Sequence, residues 1–215
     1  MIHKIKAFFK VISNAKFLYK MFFYESSYFF EKKILQYSKK SLNELGKDEI
    51  LPWLPLPLVE FLDSKLNKTF NIFEFGAGLS TIWFFSKNQN VFSIDSDKNF
   101  IESLFVGDLE KYNKNILIEE NSEAFSEIPI DNPSKFEIIF IDAEQRYECA
   151  VKSLPRLSSN GVIILDNSDR PEYKNIFDFY SRHGFREITF TGIGIINNYA
   201  WSSTIFYRDN NIFQI

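Results

Sequence analysis

The 215-residue chain has a single cysteine, Cys149, so no intrachain disulfide and no cysteine-built zinc cluster can form. It has two histidines, His3 and His183. His3 lies by the first residue. His183 lies in Ser181-Arg182-His183-Gly184, which reads as a helix closing on a glycine. A His-Cys catalytic pair is therefore not expected. No apolar run reaches the ~20 residues that cross a bilayer. Lys10 interrupts the one stretch resembling a signal-peptide core, and no small-residue cleavage site follows it. These absences lead us to expect a cytoplasmic protein. The net charge is −3, without the basic excess of a duplex nucleic-acid binder. Cys149 itself falls within a predicted helix and reads as a small buried apolar residue.

Aromatics are plentiful, with 25 Phe, 10 Tyr and 3 Trp, and predict a core filled with rings. Charge is unevenly placed. Residues 1–40 carry nine Lys and two Glu, a net of +7, and the other 175 residues carry a net of −10. In the basic part, Ile5, Phe8, Phe9, Ile12, Leu18, Phe22, Phe29, Phe30, Ile34 and Leu35 recur at helical spacing, with lysines between them. Residues 1–46 are read as a helical extension. Three uses stay open for it: a cap on the acidic domain, a homodimerisation arm, or a helix held on the inner face of an anionic membrane through residues 1–40. A proline-rich stretch, Leu51–Pro57, follows as a stiff linker or as a lid carrying Trp53.

From residue 69 the pattern alternates. Strands are predicted at 69–75, 90–95, 115–119, 136–142, 161–166, 185–190 and 201–207. Helices are predicted at 58–66, 79–88, 98–112, 144–157 and 171–183. This alternation predicts an α/β domain over residues 47–215, with a mostly parallel seven-stranded sheet and helices on both faces. The last two strands have no helix between them and predict an antiparallel C-terminal hairpin. Ligands of such sheets bind beyond the carboxyl ends of the strands. Those ends carry Glu74, Asp95, Glu119 to Ser122, Asp142 and Asp166.

The first strand runs into Glu74-Phe75-Gly76-Ala77-Gly78-Leu79-Ser80-Thr81. A dinucleotide fingerprint would place a third glycine where Thr81 stands. Glu74 would repel a pyrophosphate and attract a cationic ligand such as S-adenosylmethionine. Asp95 ends the second strand 19 residues after Gly76, where a carboxylate can accept both hydroxyls of a ribose.

These residues resemble a class I S-adenosylmethionine-dependent methyltransferase, and within that superfamily a bacterial group. The likeness is carried by Phe73–Thr81, Asp142-Ala143-Glu144-Gln145-Arg146-Tyr147, Ile164–Arg170 and Thr204–Arg208, and covers residues 50–208. It implies a Rossmann-like fold and S-adenosylmethionine as cofactor. It implies that Gly76, Ala77 and Gly78 line the methionine part, that Asp95 holds the ribose, that Asn121 and Ser122 lie by the adenine, and that Ser96 belongs to the cofactor-binding set. Glu74, Ser80, Thr81 and Asp142 complete the cofactor-binding set.

A narrower similarity joins Asp142, Asp166 and Asn167 to the metal triad of the catechol and caffeoyl-CoA O-methyltransferases, where two Asp and one Asn hold Mg²⁺ against the acceptor hydroxyls. A hard cation with oxygen ligands suits that chemistry. Those enzymes carry a lysine three residues after the first Asp, and here Gln145 stands there. The other reading of Asp166-Asn167 is a cap on the following turn. On the acceptor side, Asp142 is expected to be the base, with Arg146 and Tyr147 beside it. Arg146 and Arg170 at the pocket mouth are suited to grip a carboxylate or phosphate. The expected substrate is a small molecule or glycan precursor methylated on oxygen. The alternatives are a non-catalytic S-adenosylmethionine-binding or partner-binding module, and an NAD-dependent oxidoreductase, which Glu74 and Thr81 disfavour.

Overall fold

The computed structural model describes residues 14–25, 27–31, 50–88, 90–121, 126–128, 135–197 and 199–215. The chain divides into two compact units, Met1–Leu45 and Gly46–Ile215. In the first unit, α1 (Ala15–Phe23) and the short α2 (Tyr28–Glu31) bury none of their residues. The Tyr19 and Phe23 rings stack at 5.6 Å along α1. Among the described residues no helix is long and apolar enough to cross a membrane. The predicted apolar positions Ile5, Phe8, Phe9, Ile12, Ile34 and Leu35 lie outside the described residues.

The second unit holds α3 (Leu56–Lys65), β1 (Ile72–Phe75), α4 (Leu79–Lys87), β2 (Val91–Asp95) and α5 (Lys98–Leu104). A 3₁₀ segment, Gly107–Asn115, then leads to β3 (Ile116–Ile118), β4 (Phe136–Ile141) and α6 (Arg146–Ser153). β5 (Leu157–Leu165), α7 (Lys174–Arg182), β6 (Arg186–Gly192) and β7 (Trp201–Tyr207) complete it. The strands form one seven-stranded sheet in the order β3-β2-β1-β4-β5-β7-β6. β1 to β5 run parallel, and β7 pairs antiparallel with both β5 and β6. The predicted hairpin therefore forms, and its second strand is the inner one.

Side chains alternate across the sheet. Phe73, Phe75, Ile139, Ile141, Ile163 and Leu165 share a core with Cys149 and Ala150 of α6 and Ile176 and Tyr180 of α7. Phe140 lies on the other face, where its ring meets Phe84 of α4 at 5.8 Å. Both faces are covered, so β4 is apolar almost throughout. The Tyr180 hydroxyl donates to the Ala150 carbonyl at 3.0 Å in this core. Tyr180→Phe strands that buried carbonyl and is expected to cost about 1–2 kcal/mol. In urea unfolding the midpoint should fall while the slope stays the same.

Several boundaries differ from those expected, each for a local reason. β1 starts at Ile72 because Asn67 Oδ1 accepts from the Thr69 amide and hydroxyl and holds a turn there. The helix expected over 98–112 ends at Leu104, and the chain passes through Gly107 at φ +58°. Pro155 turns the end of the expected 144–157 helix into a 3₁₀ turn, Leu154–Arg156. β5 begins four residues early, because Leu157 pairs with Phe136 before an irregularity that sets Val162 against Ile138. Leu51–Pro57 is a packed segment, not a free linker: Leu54 and Leu56 are buried, and the Leu56 amide donates to Ile193 O at 2.9 Å.

Candidate active site

The sheet runs outward from β1 in both directions, to β2 and β3 on one side and to β4 and β5 on the other. A crevice opens at the carboxyl ends of strands where the order reverses in this way. Gly76 leaves β1 there and Asp142 leaves β4 beside it, with the Asp142 amide donating to Phe75 O at 2.9 Å. A cavity of ≈ 330 Å³ lies at this point, lined by Gly76, Asp95, Ser96, Glu119, Glu120, Asp142, Ala143, Glu144 and Gln145. Five of those nine residues are acids and none is basic.

The glycine loop has little left to offer an anion. The Gly76 amide donates to Ile94 O at 2.8 Å, the Ala77 amide to Asp95 Oδ2 at 2.8 Å, and the Gly78 amide to Thr81 Oγ1 at 2.8 Å. Three successive N–H groups that would cradle a pyrophosphate are thus engaged within the protein. Glu74 anchors this arrangement from below. It is fully buried and accepts from the hydroxyls of Ser80, Thr81 and Ser93, the last at 2.8 Å. Burial pushes its carboxyl up to about 7 against the pull of these hydrogen bonds. Glu74, Ser80 and Thr81, expected to bind the ligand, lie against one another on the face of β1 that α4 covers, and they are not among the residues that line the cavity.

Asp95 stands where the sequence placed it, at the cavity wall. Oδ1 accepts from the Asp97 amide at 2.7 Å and Oδ2 from Ala77. Burial raises its carboxyl above the usual range. Ser96 lines the same wall. Asn121 is exposed, its amide donating to Glu119 Oε1 at 2.9 Å, and Ser122 lies outside the described residues. Glu120, Ala143 and Glu144 line the cavity without having been given a binding role. The acids at the strand ends were the signal for the first. The other two follow Asp142 directly.

Arg146 was expected at the mouth as a free cation, but only 6% of its surface is exposed. It pairs with Asp142 Oδ1 through Nη2, which also donates to Asn167 Oδ1 at 2.8 Å. Nη1 donates to Ala143 O at 2.7 Å and to the Tyr173 hydroxyl at 2.9 Å. The guanidinium is therefore not available to grip an acceptor in this structure. Tyr147 stays partly exposed with its ring edge toward Phe179 at 6.3 Å, and it is not among the residues that line the cavity. Burial and Asp166 push Asp142 up from the usual carboxylate range, while Arg146 pulls it down. Asp166 is buried, and its Oδ1 accepts from Trp201 Nε1 at 3.1 Å and from the Ser203 hydroxyl at 2.5 Å. Gln145 Oε1 and Arg146 Nε are buried without a hydrogen-bond partner. Burial pushes the Cys149 thiol up to about 12, which leaves it inert at neutral pH.

No protein-family model matches the chain, and no curated protein matches it in sequence. Solved structures do match in fold. A protein from Klebsiella pneumoniae assigned as an O-methyltransferase is 14% identical with a TM-score of 0.54, over 90% of this chain and 94% of that one. One from Staphylococcus aureus assigned as a caffeoyl-CoA O-methyltransferase is 21% identical, also at 0.54, over 83% of this chain and 99% of its own. One from Pyrococcus horikoshii assigned as an RNA methyltransferase is 14% identical at 0.50, over 82% and 96%. The strand order, the antiparallel inner β7 and these likenesses together give the chain the Rossmann-like methyltransferase fold.

Proposed function

We propose that the protein is an S-adenosylmethionine-dependent methyltransferase acting on an oxygen of a small molecule or glycan precursor. The observation that carries this is the acidic cavity at the ends of β1, β2 and β4. Five carboxylates and no cation disfavour a phosphate-bearing ligand such as NAD and suit one with an ammonium and a sulfonium. When bound, S-adenosylmethionine supplies an electrophilic methyl, which leaves its sulfur as the acceptor oxygen forms the new C–O bond. In this reading Asp95, at the cavity wall, accepts from the ribose hydroxyls, and Gly76 lets the backbone approach the ligand closely. Asp142, held on one oxygen by Arg146, has its other oxygen for the acceptor's proton.

Calorimetry with S-adenosylhomocysteine tests the reading. Binding in the micromolar range is expected, with none for NAD. Absence of binding to the wild-type protein would overturn it. Asp95→Asn retains an oxygen for the Ala77 amide but loses the charge and one acceptor. It is expected to weaken S-adenosylhomocysteine roughly 10- to 100-fold. An unchanged Kd would place the ribose elsewhere.

A further inference from the structure

The donor set expected to hold a divalent cation does not fit one. Asp142 and Asn167 do face a common cation, but that cation is a side chain. Arg146 Nη2 is shared between Asp142 Oδ1 and Asn167 Oδ1. Nη1 fixes the other edge of the guanidinium on Ala143 O and the Tyr173 hydroxyl. Asp166 Oδ1 is engaged by two donors of β7, Trp201 Nε1 and the Ser203 hydroxyl. Mg²⁺ needs oxygen lone pairs converging at 2.0–2.1 Å in near-octahedral geometry. Here Asp142 Oδ1 and Asn167 Oδ1 already accept from Arg146, Asp166 Oδ1 accepts one N–H and one O–H, and a buried positive charge stands among them.

The backbone supports the same assignment. Asn167 sits at φ +50°, a conformation that asparagine tolerates better than most residues. It lies in the turn after β5, one residue past Asp166, and its amide oxygen accepts from Arg146. Arg146 is the first residue of α6, and the turn Ala143–Gln145 between it and the end of β4 brings it back onto Asp142.

We propose that the Arg146 guanidinium is the permanent cation of this site and that the site works without a divalent metal. Arg146 is then a positioning residue that fixes Asp142 at the cavity wall and ties β4 to the turn after β5. This inference concerns the residues around Asp142 and is read out by cation binding, so its failure is distinct from failure of the methyltransferase reading, which S-adenosylhomocysteine reports.

The test is a Mn²⁺ titration of the full chain followed by electron paramagnetic resonance of free Mn²⁺. The wild-type protein is expected to bind none at this site up to millimolar Mn²⁺. Its S-adenosylhomocysteine Kd is expected to change less than twofold between EDTA and Mg²⁺. Arg146→Met removes the charge and leaves Asp142 and Asn167 facing each other. It is expected to take up Mn²⁺ at least tenfold more tightly than wild type, and Asn167→Ala added to it should reverse the gain. Wild-type binding of Mn²⁺ below millimolar that is lost in Asn167→Ala would overturn the proposal, whether or not Arg146→Met folds.

Discussion

Gly76→Ala is expected to lose about 3–5 kcal/mol of stability and all measurable affinity for S-adenosylhomocysteine. A Cβ at this position would lie 2.1 Å from Asp142 O and 2.8 Å from Asp142 C. Both are backbone atoms of the neighbouring strand end, so no rotamer can relieve the clash. The residue also sits at φ +89°, where an L side chain adds its own cost of about 1–2 kcal/mol. To make room, the ends of β1 and β4 must part, and the cavity lies between them. Gly78 in the same motif is the control. A Cβ there meets nothing within 4 Å, and the backbone is extended at φ −173°. Gly78→Ala should therefore stay within about 1 kcal/mol of wild type. Urea unfolding and calorimetry on both variants separate the outcomes. Equal effects of the two substitutions would refute the close approach of Gly76 to Asp142.

The second large effect is a pH dependence without ligand. Glu74 titrates at about 7 in the folded protein, because burial disfavours its charge, against an ordinary value of 4.5. The folded state thus holds this proton more tightly than the unfolded chain does. Stability from Glu74 is fully present below pH 4.5. It declines as pH rises and is lost above about 7, a change of about 3 kcal/mol. Asp142, Asp166 and Asp95 are raised as well and slope the same way. Glu74→Gln keeps the side-chain shape and cannot ionise. It should remove about 3 kcal/mol of the difference between pH 4.5 and 7.5, leaving the shallower slope of the aspartates. If the variant and wild type lose the same stability over that range, Glu74 does not titrate there.

These two residues also show how far the sequence could be read. Gly76, Asp95 and Asp142 were legible because each ends a short apolar run, and strand ends in an alternating α/β chain meet at one edge. Glu74 was legible as a strand-end acid, but its hydroxyl partners were not. Placing it needs the alternation of β1 against α4, which puts Ser80 and Thr81 over its carboxyl. The inward reach of Arg146 was not legible because its partners come from three separated places, Asp142-Ala143, Asn167 and Tyr173. Only Asp142 and Ala143 are close in sequence, and nothing local distinguishes an arginine that reaches inward from one that faces water. Tyr173, Trp201 and Ser203 gave no signal, since their contacts arise only once α7 and β7 are in place. The break after Leu104 had a visible cause in Gly107, which the apolar spacing on either side concealed.

The position of β7 bears on how the protein is made. The last of the seven described strands along the chain is an inner one, between β5 and β6. As the chain leaves the ribosome at ~5–20 residues per second, β1 to β5 emerge with the open edge of β5 unpaired until Trp201–Tyr207 follows. β6 is made earlier but has no neighbour to join before then. Trp201 and Ser203, the donors to Asp166, arrive in that same strand. Closing the edge of β5 and completing the Asp166 side of the site therefore depend on one and the same strand.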